Sequence, residues 1–165
     1  FFVSIAFSLI PANFVTILAK EKINNSKHLM RVSGINIIAY WIVNYIFELS
    51  KYYFTAGICL LLLWAFSFYE NYLYILYLCY GPAMISLTYI MSFMFSTESG
   101  AQNATILLNF LVGAMGSLVV MTLRSIKRFK FFAKILEYIL ALIPTFCFDF
   151  GYDLLLNKMS IYLQD

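Results

Sequence analysis

The stretch KEKINNSKHLMRVSG, residues 20–34, separates two long apolar segments of the chain. It is too polar to lie in lipid, yet Ile23, Lys27 and Met30 share one helical face, and Gly34 is placed to end the helix. Around this stretch the chain is apolar, with 63% hydrophobic and only 12% charged residues. A soluble globule of 165 residues cannot bury such a share of apolar surface. The sequence therefore predicts an integral membrane protein with an amphipathic helix at the water boundary.

Lipid restricts the architecture of the apolar segments. Only helices and closed barrels satisfy their backbone groups inside a bilayer, and these segments lack the inward and outward alternation of barrel strands. We therefore predict an all-α membrane protein in which residues 1–165 form one transmembrane domain. Its apolar start, without an initiator Met or a basic leader, indicates a fragment of a longer chain. A bilayer needs about 20 helical residues, which places about four main transmembrane helices at residues 1–19, 35–68, 73–95 and 105–123.

Two further elements complete the predicted domain. Residues 20–34 form the amphipathic helix, and four basic residues against Glu21 alone favour its cytoplasmic side. Residues 124–157 contain an apolar stretch that is too short to span before Pro144, which favours an external interfacial or re-entrant helix. The basic residues within 124–134 conflict with an external location under the positive-inside rule, so the side of this cluster stays open.

Two ionisable residues lie inside the second predicted span. Glu48 and Lys51 are three positions apart and occupy neighbouring places on one helix face. A charge at the bilayer centre costs about 2.5–3.5 kcal/mol on insertion scales, so such residues usually face protein or a water-filled cavity. Two interpretations stay open: a structural pair with Lys51 snorkelling to the interface, or side chains that line a transport path.

Small residues recur in the fourth predicted span. Gly113, Gly116 and Ser117 leave little side-chain bulk on one part of the helix. Because small residues allow two backbones to approach closely in a membrane, we expect another helix to pack there.

Patterns for catalysis or metal binding are missing from the sequence. Cys59, Cys79 and Cys147 lie in separate apolar segments without CxxC spacing, so we expect buried free thiols, neither metal ligands nor disulfides. No Gly-x-x-x-x-Gly-Lys-Ser/Thr loop occurs, and the chain is therefore predicted to hydrolyse no ATP and to hold no cofactor of its own. No catalytic residue, metal ligand or nucleic-acid partner is predicted.

Several sequence blocks follow one another in an order that is specific to one family. They are IPANFV (10–15), KEK (20–22), SKHLMRVSG (26–34), YWIVN (40–44), YGPAMISLTYIMSFMF (80–95) and IPTFCFDFG (143–151). This ordered set resembles the membrane domain of ATP-binding-cassette transporters of the A subfamily. The chain departs from the family pattern Phe-Gly-x-Gly at Asp149, which stands in place of the first glycine and leaves the local turn undetermined.

The resemblance implies a role for residues 20–34 as a cytoplasmic coupling helix that lies against a nucleotide-binding domain. That domain, in the same polypeptide or in a partner, would bind ATP and Mg²⁺ and drive the movement of lipid or another amphipathic substrate through the bilayer. A second transmembrane domain would complete the transporter. The residues predicted to contact the nucleotide-binding domain are Lys20, Glu21, Lys22, Lys27, His28, Leu29, Arg31, Ser33 and Gly34.

Other functions stay open from the sequence alone. Residues 20–34 also fit an ordinary basic loop that contacts lipid headgroups. The whole chain also fits a scaffold subunit that kept the fold, lost transport and belongs to a larger membrane complex, for example in an organelle. A tether that binds anionic lipid through both basic clusters is a third alternative. The substrate, the direction of transport and the host membrane are not determined by the sequence.

Overall fold

The computed structural model describes residues 2–24, 32–34, 36–66 and 71–162. The regular structure within these ranges is helical and contains no strand, so the predicted all-α class is confirmed. The helices are α1 (Phe2–Ile23), α2 (Ile37–Ala65), α3 (Asn71–Met94), α4 (Glu98–Ser125), α5 (Lys130–Leu140) and α6 (Pro144–Tyr162), with a 3₁₀ turn at Lys127–Phe129 between α4 and α5.

Three of the described helices are long and apolar enough to cross a membrane: α2 with 29 residues, α3 with 24 and α4 with 28. Only 17% of the most apolar window of α2 is buried by protein, and Phe54 and Leu61 are 73% and 67% exposed. Such outward apolar surface requires lipid around it. The integral membrane class is therefore confirmed, whereas the role of α1 as a further span stays a prediction.

The residues around α2 explain where this helix starts. Gly34 has φ +81°, a left-handed conformation that glycine adopts at helix ends without strain. The side chain of Asn36 accepts a hydrogen bond of 2.9 Å from the Ile38 N–H and caps the first turn. The predicted span of residues 35–68 and the observed helix thus agree closely at the start.

The start of α4 lies seven residues before the predicted one. The predicted spans end at residue 95 and resume at residue 105, yet α4 begins at Glu98 and its main chain is helical from there. The Thr97 hydroxyl accepts a hydrogen bond of 3.3 Å from the Gly100 N–H, and Glu98 places a negative charge in the first turn. Both features stabilise a helix N-terminus, so local capping outweighs the turn-forming composition.

Two compact units make up the chain. The N-terminal unit comprises residues 9–69 and 81–106, and the C-terminal unit comprises residues 1–8, 70–80 and 107–165. The N-terminal unit has a small core of Val15, Ala19 and Ala101, which are at most 1% exposed.

The C-terminal unit contains α5, α6 and the second half of α4. Val120, Phe146 and Phe150 are buried together, and partly buried side chains of α5 pack against them. Contacts of Gly116 with Leu140 and of Arg124 with Glu137 show that α5 runs antiparallel to α4. An aromatic cluster forms a second contact region, in which the Phe148 ring lies 5.1 Å from Phe7, 5.1 Å from Tyr77 and 4.4 Å from Tyr80.

Close packing in the N-terminal unit depends on Gly81 of α3. A Cβ atom at this position would lie 2.5 Å from two ring carbons of Tyr52 on α2. The Tyr52 side chain is 0% exposed, and a side chain with no free space around it cannot move aside without strain.

We expect Gly81→Ala to destabilise the fold by about 1–3 kcal/mol, because overpacking a filled site forces neighbouring groups apart. Gly57→Ala on α2 is the matched control, since no atom beyond the adjoining residues of its own helix lies within 4 Å of its Cβ position. That control should be neutral or slightly stabilising, because alanine is the better helix former. Thermal unfolding of both variants in detergent measures the difference, and equal midpoints would contradict the packing argument.

Candidate functional site

The charged end of α1 lies inside a helix that continues beyond the predicted first span. Residues 20–23 form the last turn of α1, so the segment predicted as a coupling helix begins in the structure as an extension of this helix. The Lys22 ammonium group donates hydrogen bonds of 3.0 Å to the Phe93 carbonyl oxygen and 3.1 Å to the Phe95 carbonyl oxygen. These carbonyl groups lie at the C-terminal end of α3, where a helix has unpaired acceptors and a partial negative charge.

The neighbouring residue on α1 connects this end to α2. Glu21 accepts a hydrogen bond from the Tyr40 hydroxyl, and Tyr40 lies in the first turn of α2. We call the set Glu21, Lys22, Tyr40 and the carbonyl groups of Phe93 and Phe95 the anchor. The anchor joins the end of α1, the start of α2 and the end of α3 at one level of the N-terminal unit.

The remaining residues of the predicted coupling contact divide into two groups. Lys20, Ser33 and Gly34 are exposed, and Gly34 has the left-handed conformation expected of a residue that ends a helix. Lys27, His28, Leu29 and Arg31 lie outside the described residues. The contact with a nucleotide-binding domain stays a prediction.

An open aromatic groove of about 500 Å³ lies next to the anchor. Trp41 and Tyr89 meet edge to face at 5.3 Å, and the Tyr45 ring stacks against Tyr89 at 6.2 Å. The sequence motifs did not predict this groove, although the helical spacing of aromatic residues on α2 and α3 is a signal for it. Its lining residues are Trp41, Ile42, Tyr45, Ser86, Tyr89 and Phe93.

Glu48 and Lys51 occupy different surroundings in the N-terminal unit. Glu48 is 4% exposed, and its Oε2 atom has no hydrogen-bond partner among the described residues. The Lys51 ammonium lies 4.3 Å from the centre of the Phe47 ring and 5.5 Å from that of Phe14. Within the described part of the chain, no contact of ion-pair length joins Glu48 to Lys51. Lys51 thus makes cation–π contacts in place of the direct pair that the spacing suggested.

Gly113, Gly116 and Ser117 lie in the C-terminal unit, where α6 packs against α4. A Cβ atom at Gly113 would overlap the Asp149 carboxylate, and one at Gly116 would lie 3.3 Å from Leu140 and 3.4 Å from Phe146. The Ser117 hydroxyl lies 3.1 Å from the Ala114 carbonyl oxygen and 3.3 Å from an Asp153 carboxylate oxygen. The two helices approach where α4 has the least side-chain bulk.

Histidine, cysteine and acidic side chains do not cluster among the described residues. These residues contain no group of three His, Cys, Asp or Glu side chains placed to hold a metal ion. None of Cys59, Cys79 and Cys147 is in a disulfide, but Cys79 and Cys147 are exposed at the protein surface. The expectation of burial inside protein was wrong for these two residues. The apolar segments that carry them present much of their surface outward, so apolar character did not imply a protein contact.

The fold and the anchor together define a multi-pass integral membrane protein whose charged segment is tied to its membrane helices. The sequence model described as ABC-2 family transporter protein matches residues 1–163, and the chain therefore belongs to this family. This match confirms the resemblance to the membrane domain of ATP-binding-cassette transporters.

Comparison with individual proteins confirms the A subfamily. The chain is 28% identical over 172 residues to ATP-binding cassette sub-family A member 2 of Homo sapiens, an alignment that covers 99% of the chain. It is 32% identical over 165 residues to the human retinal-specific phospholipid-transporting ATPase ABCA4, covering 92% of the chain. It is 30% identical over 156 residues to the human phospholipid-transporting ATPase ABCA7, covering 88%. The chain spans about 7% of the length of each of these relatives.

We expect Lys22→Met to lower the midpoint of thermal unfolding by about 2–4 °C, because the last carbonyl groups of α3 lose a charged donor. Lys20→Met is the control, since Lys20 is exposed and has the same charge two positions away. Both variants remove one positive charge from the same end of α1. A shift of equal size in both would show a charge effect and would exclude a specific anchor contact.

Proposed function

We propose that the chain is part of the membrane domain of an ATP-driven lipid transporter of the A subfamily, with residues 20–34 as the segment that couples it to a nucleotide-binding domain. Family membership supports the transporter class. The names of two relatives at 32% and 30% identity, both phospholipid-transporting ATPases, support a lipid or similar amphipathic substrate. Nucleotide-binding domains would bind ATP and Mg²⁺, and a second membrane domain would complete the translocation path.

The anchor carries this proposal, because it gives the coupling segment a mechanical connection to several helices. The segment leaves α1 directly after Glu21 and Lys22 and enters α2 just before Tyr40. A displacement of residues 24–36 therefore acts on α1 and α2 through the main chain. The two hydrogen bonds of Lys22 transmit the same displacement to the end of α3.

Charge supports the cytoplasmic side for this end of the helices. Lys20 and Lys22 lie in the last turn of α1, and basic residues near membrane helices favour the cytoplasm. They also lie at a helix C-terminus, where a positive charge interacts favourably with the helix dipole. A nucleotide-binding domain that uses cytoplasmic ATP would meet the chain on this side.

Site-directed photocross-linking in the full-length protein tests the contact. We expect a photoreactive residue at Lys20 or Ser33, which are both exposed, to cross-link to the nucleotide-binding domain. The same residue at Tyr138 on α5, which is 70% exposed, should give no such product. Absence of the product from both Lys20 and Ser33 would exclude the coupling contact. Purification within a larger assembly that lacks a nucleotide-binding domain would instead favour the scaffold.

A variant that removes the Tyr40 hydroxyl tests whether the anchor couples ATP turnover to lipid. We expect Tyr40→Phe to reduce the stimulation of ATP turnover by lipid about fivefold or more, because coupling between sites is worth about 1–3 kcal/mol and this change removes one connection. Tyr74→Phe is the control, since Tyr74 is 44% exposed on α3. ATPase assays on reconstituted full-length transporter, with and without lipid substrate, measure the effect. Unchanged stimulation in Tyr40→Phe would contradict a role of the anchor in coupling.

A further inference from the structure

Two polar stripes face each other in the C-terminal unit. The stripe on α4 has one member every four residues, and so does the stripe on α6. Five of the six members are buried glycine or polar side chains in a unit whose other buried positions are mostly apolar. The members are Asn109, Gly113 and Ser117 on α4, and Thr145, Asp149 and Asp153 on α6.

Observed contacts set the register of the two stripes. Gly113 lies against Asp149, and the Ser117 hydroxyl lies 3.3 Å from Asp153. One turn further, the Asn157 amide lies 3.9 Å from the sulfur of Met121. Each pair differs by 36 positions, so the two helices run parallel with a constant offset. Continued one turn toward the N-terminus of α4, the same offset would bring Asn109 to the level of Thr145, whose Cβ lies 3.4 Å from the Cβ position of Gly113.

Asn109 and Thr145 hold buried oxygen atoms without hydrogen-bond partners. Asn109 is 2% exposed and Thr145 is 3% exposed, and neither Asn109 Oδ1 nor Thr145 Oγ1 has a partner in the described part of the chain. By contrast, the buried Thr88 and Thr105 hydroxyls lie 2.8 Å and 2.7 Å from carbonyl oxygens one turn earlier. Leaving a buried polar atom unsatisfied costs about 1–3 kcal/mol. Two such atoms at register-paired positions indicate a ligand between them.

Asp149 adds a carboxylate to the same place. The position that a Cβ atom of Gly113 would take touches Asp149 Oδ2 and lies 3.4 Å from Thr145 Cβ. Asp149 is 3% exposed, and it is the residue that departs from the family pattern of this segment. The facing part of α4 is a π-helical segment, Phe110–Met115, and π segments within α-helices are frequent at functional sites.

We propose that Asn109, Thr145 and Asp149 bind a monovalent alkali cation. An amide oxygen, a hydroxyl and a carboxylate are hard oxygen donors, which suit alkali and alkaline-earth ions and not soft transition metals. One carboxylate matches a single positive charge, whereas Ca²⁺ sites usually recruit more acidic ligands.

Thermal unfolding of the full-length transporter in detergent tests the site without reference to transport. We expect NaCl or KCl to raise the unfolding midpoint by about 2–4 °C over N-methyl-D-glucamine chloride at equal ionic strength, because a ligand that binds only the folded state stabilises it. Thr145→Val keeps the side-chain shape and should abolish the shift, and so should Asn109→Leu. Thr105→Val is the matched control, because its buried hydroxyl is bonded within its own helix.

Binding of ²²Na⁺ to the unmodified protein, with unlabelled K⁺ as competitor, gives a second measurement that needs no variant to fold. Saturable binding together with loss of the thermal shift in Thr145→Val supports the proposal. Equal midpoints in all three salts, or a full shift in Thr145→Val, would overturn it. Stabilisation by CaCl₂ alone would also overturn the assignment, since the ion would then be divalent. These outcomes are independent of the coupling proposal, because none of them uses ATP turnover.

Discussion

The bilayer offers no water to backbone groups, and the arrangement of polar atoms in this chain follows from that constraint. Hydroxyl groups inside the helices turn back to their own main chain, as Thr105 does toward the Ala101 carbonyl oxygen. The last carbonyl groups of a helix have no amide partners within it, and the Lys22 ammonium contacts two such groups at the end of α3. The anchor therefore solves a local hydrogen-bonding problem and, by the same contacts, joins three helices.

Because of the same constraint, buried polar atoms that lack a hydrogen-bond partner are informative. In a chain where buried hydroxyl groups usually find a carbonyl oxygen, the unpartnered atoms of Asn109 and Thr145 require an explanation. The register of the two helices, which would bring these residues to one level, favours a shared ligand over two separate defects. Glu48 is a weaker case, since only one oxygen of its buried carboxylate has no hydrogen-bond partner among the described residues.

The membrane-protein class and the long spans can be predicted from composition and from the length of the apolar segments. Any apolar side chain can face lipid, so no specific partner has to be known. The predicted residues 35–68 and 73–95 therefore lie close to Ile37–Ala65 and Asn71–Met94. The helix cap at Thr97 was harder to predict from the sequence, because the same polar residues also form turns. Contacts between positions that are far apart in the chain could not be predicted from the sequence. The Lys22 ammonium group bonds carbonyl groups 71 and 73 residues away, and the sequence around Lys22 does not indicate which groups would accept these bonds.

Asp149 shows how two separate sequence observations become one structural feature. The sequence marked Gly113 as a small residue that permits close packing and Asp149 as a departure from the family pattern. In the structure the carboxylate occupies the space that a side chain at residue 113 would need. Any larger residue at 113 would overlap the carboxylate and force the carboxylate or the helix to shift. The aspartate is therefore tolerated on α6 only because α4 has a glycine opposite it, and the two positions constrain each other.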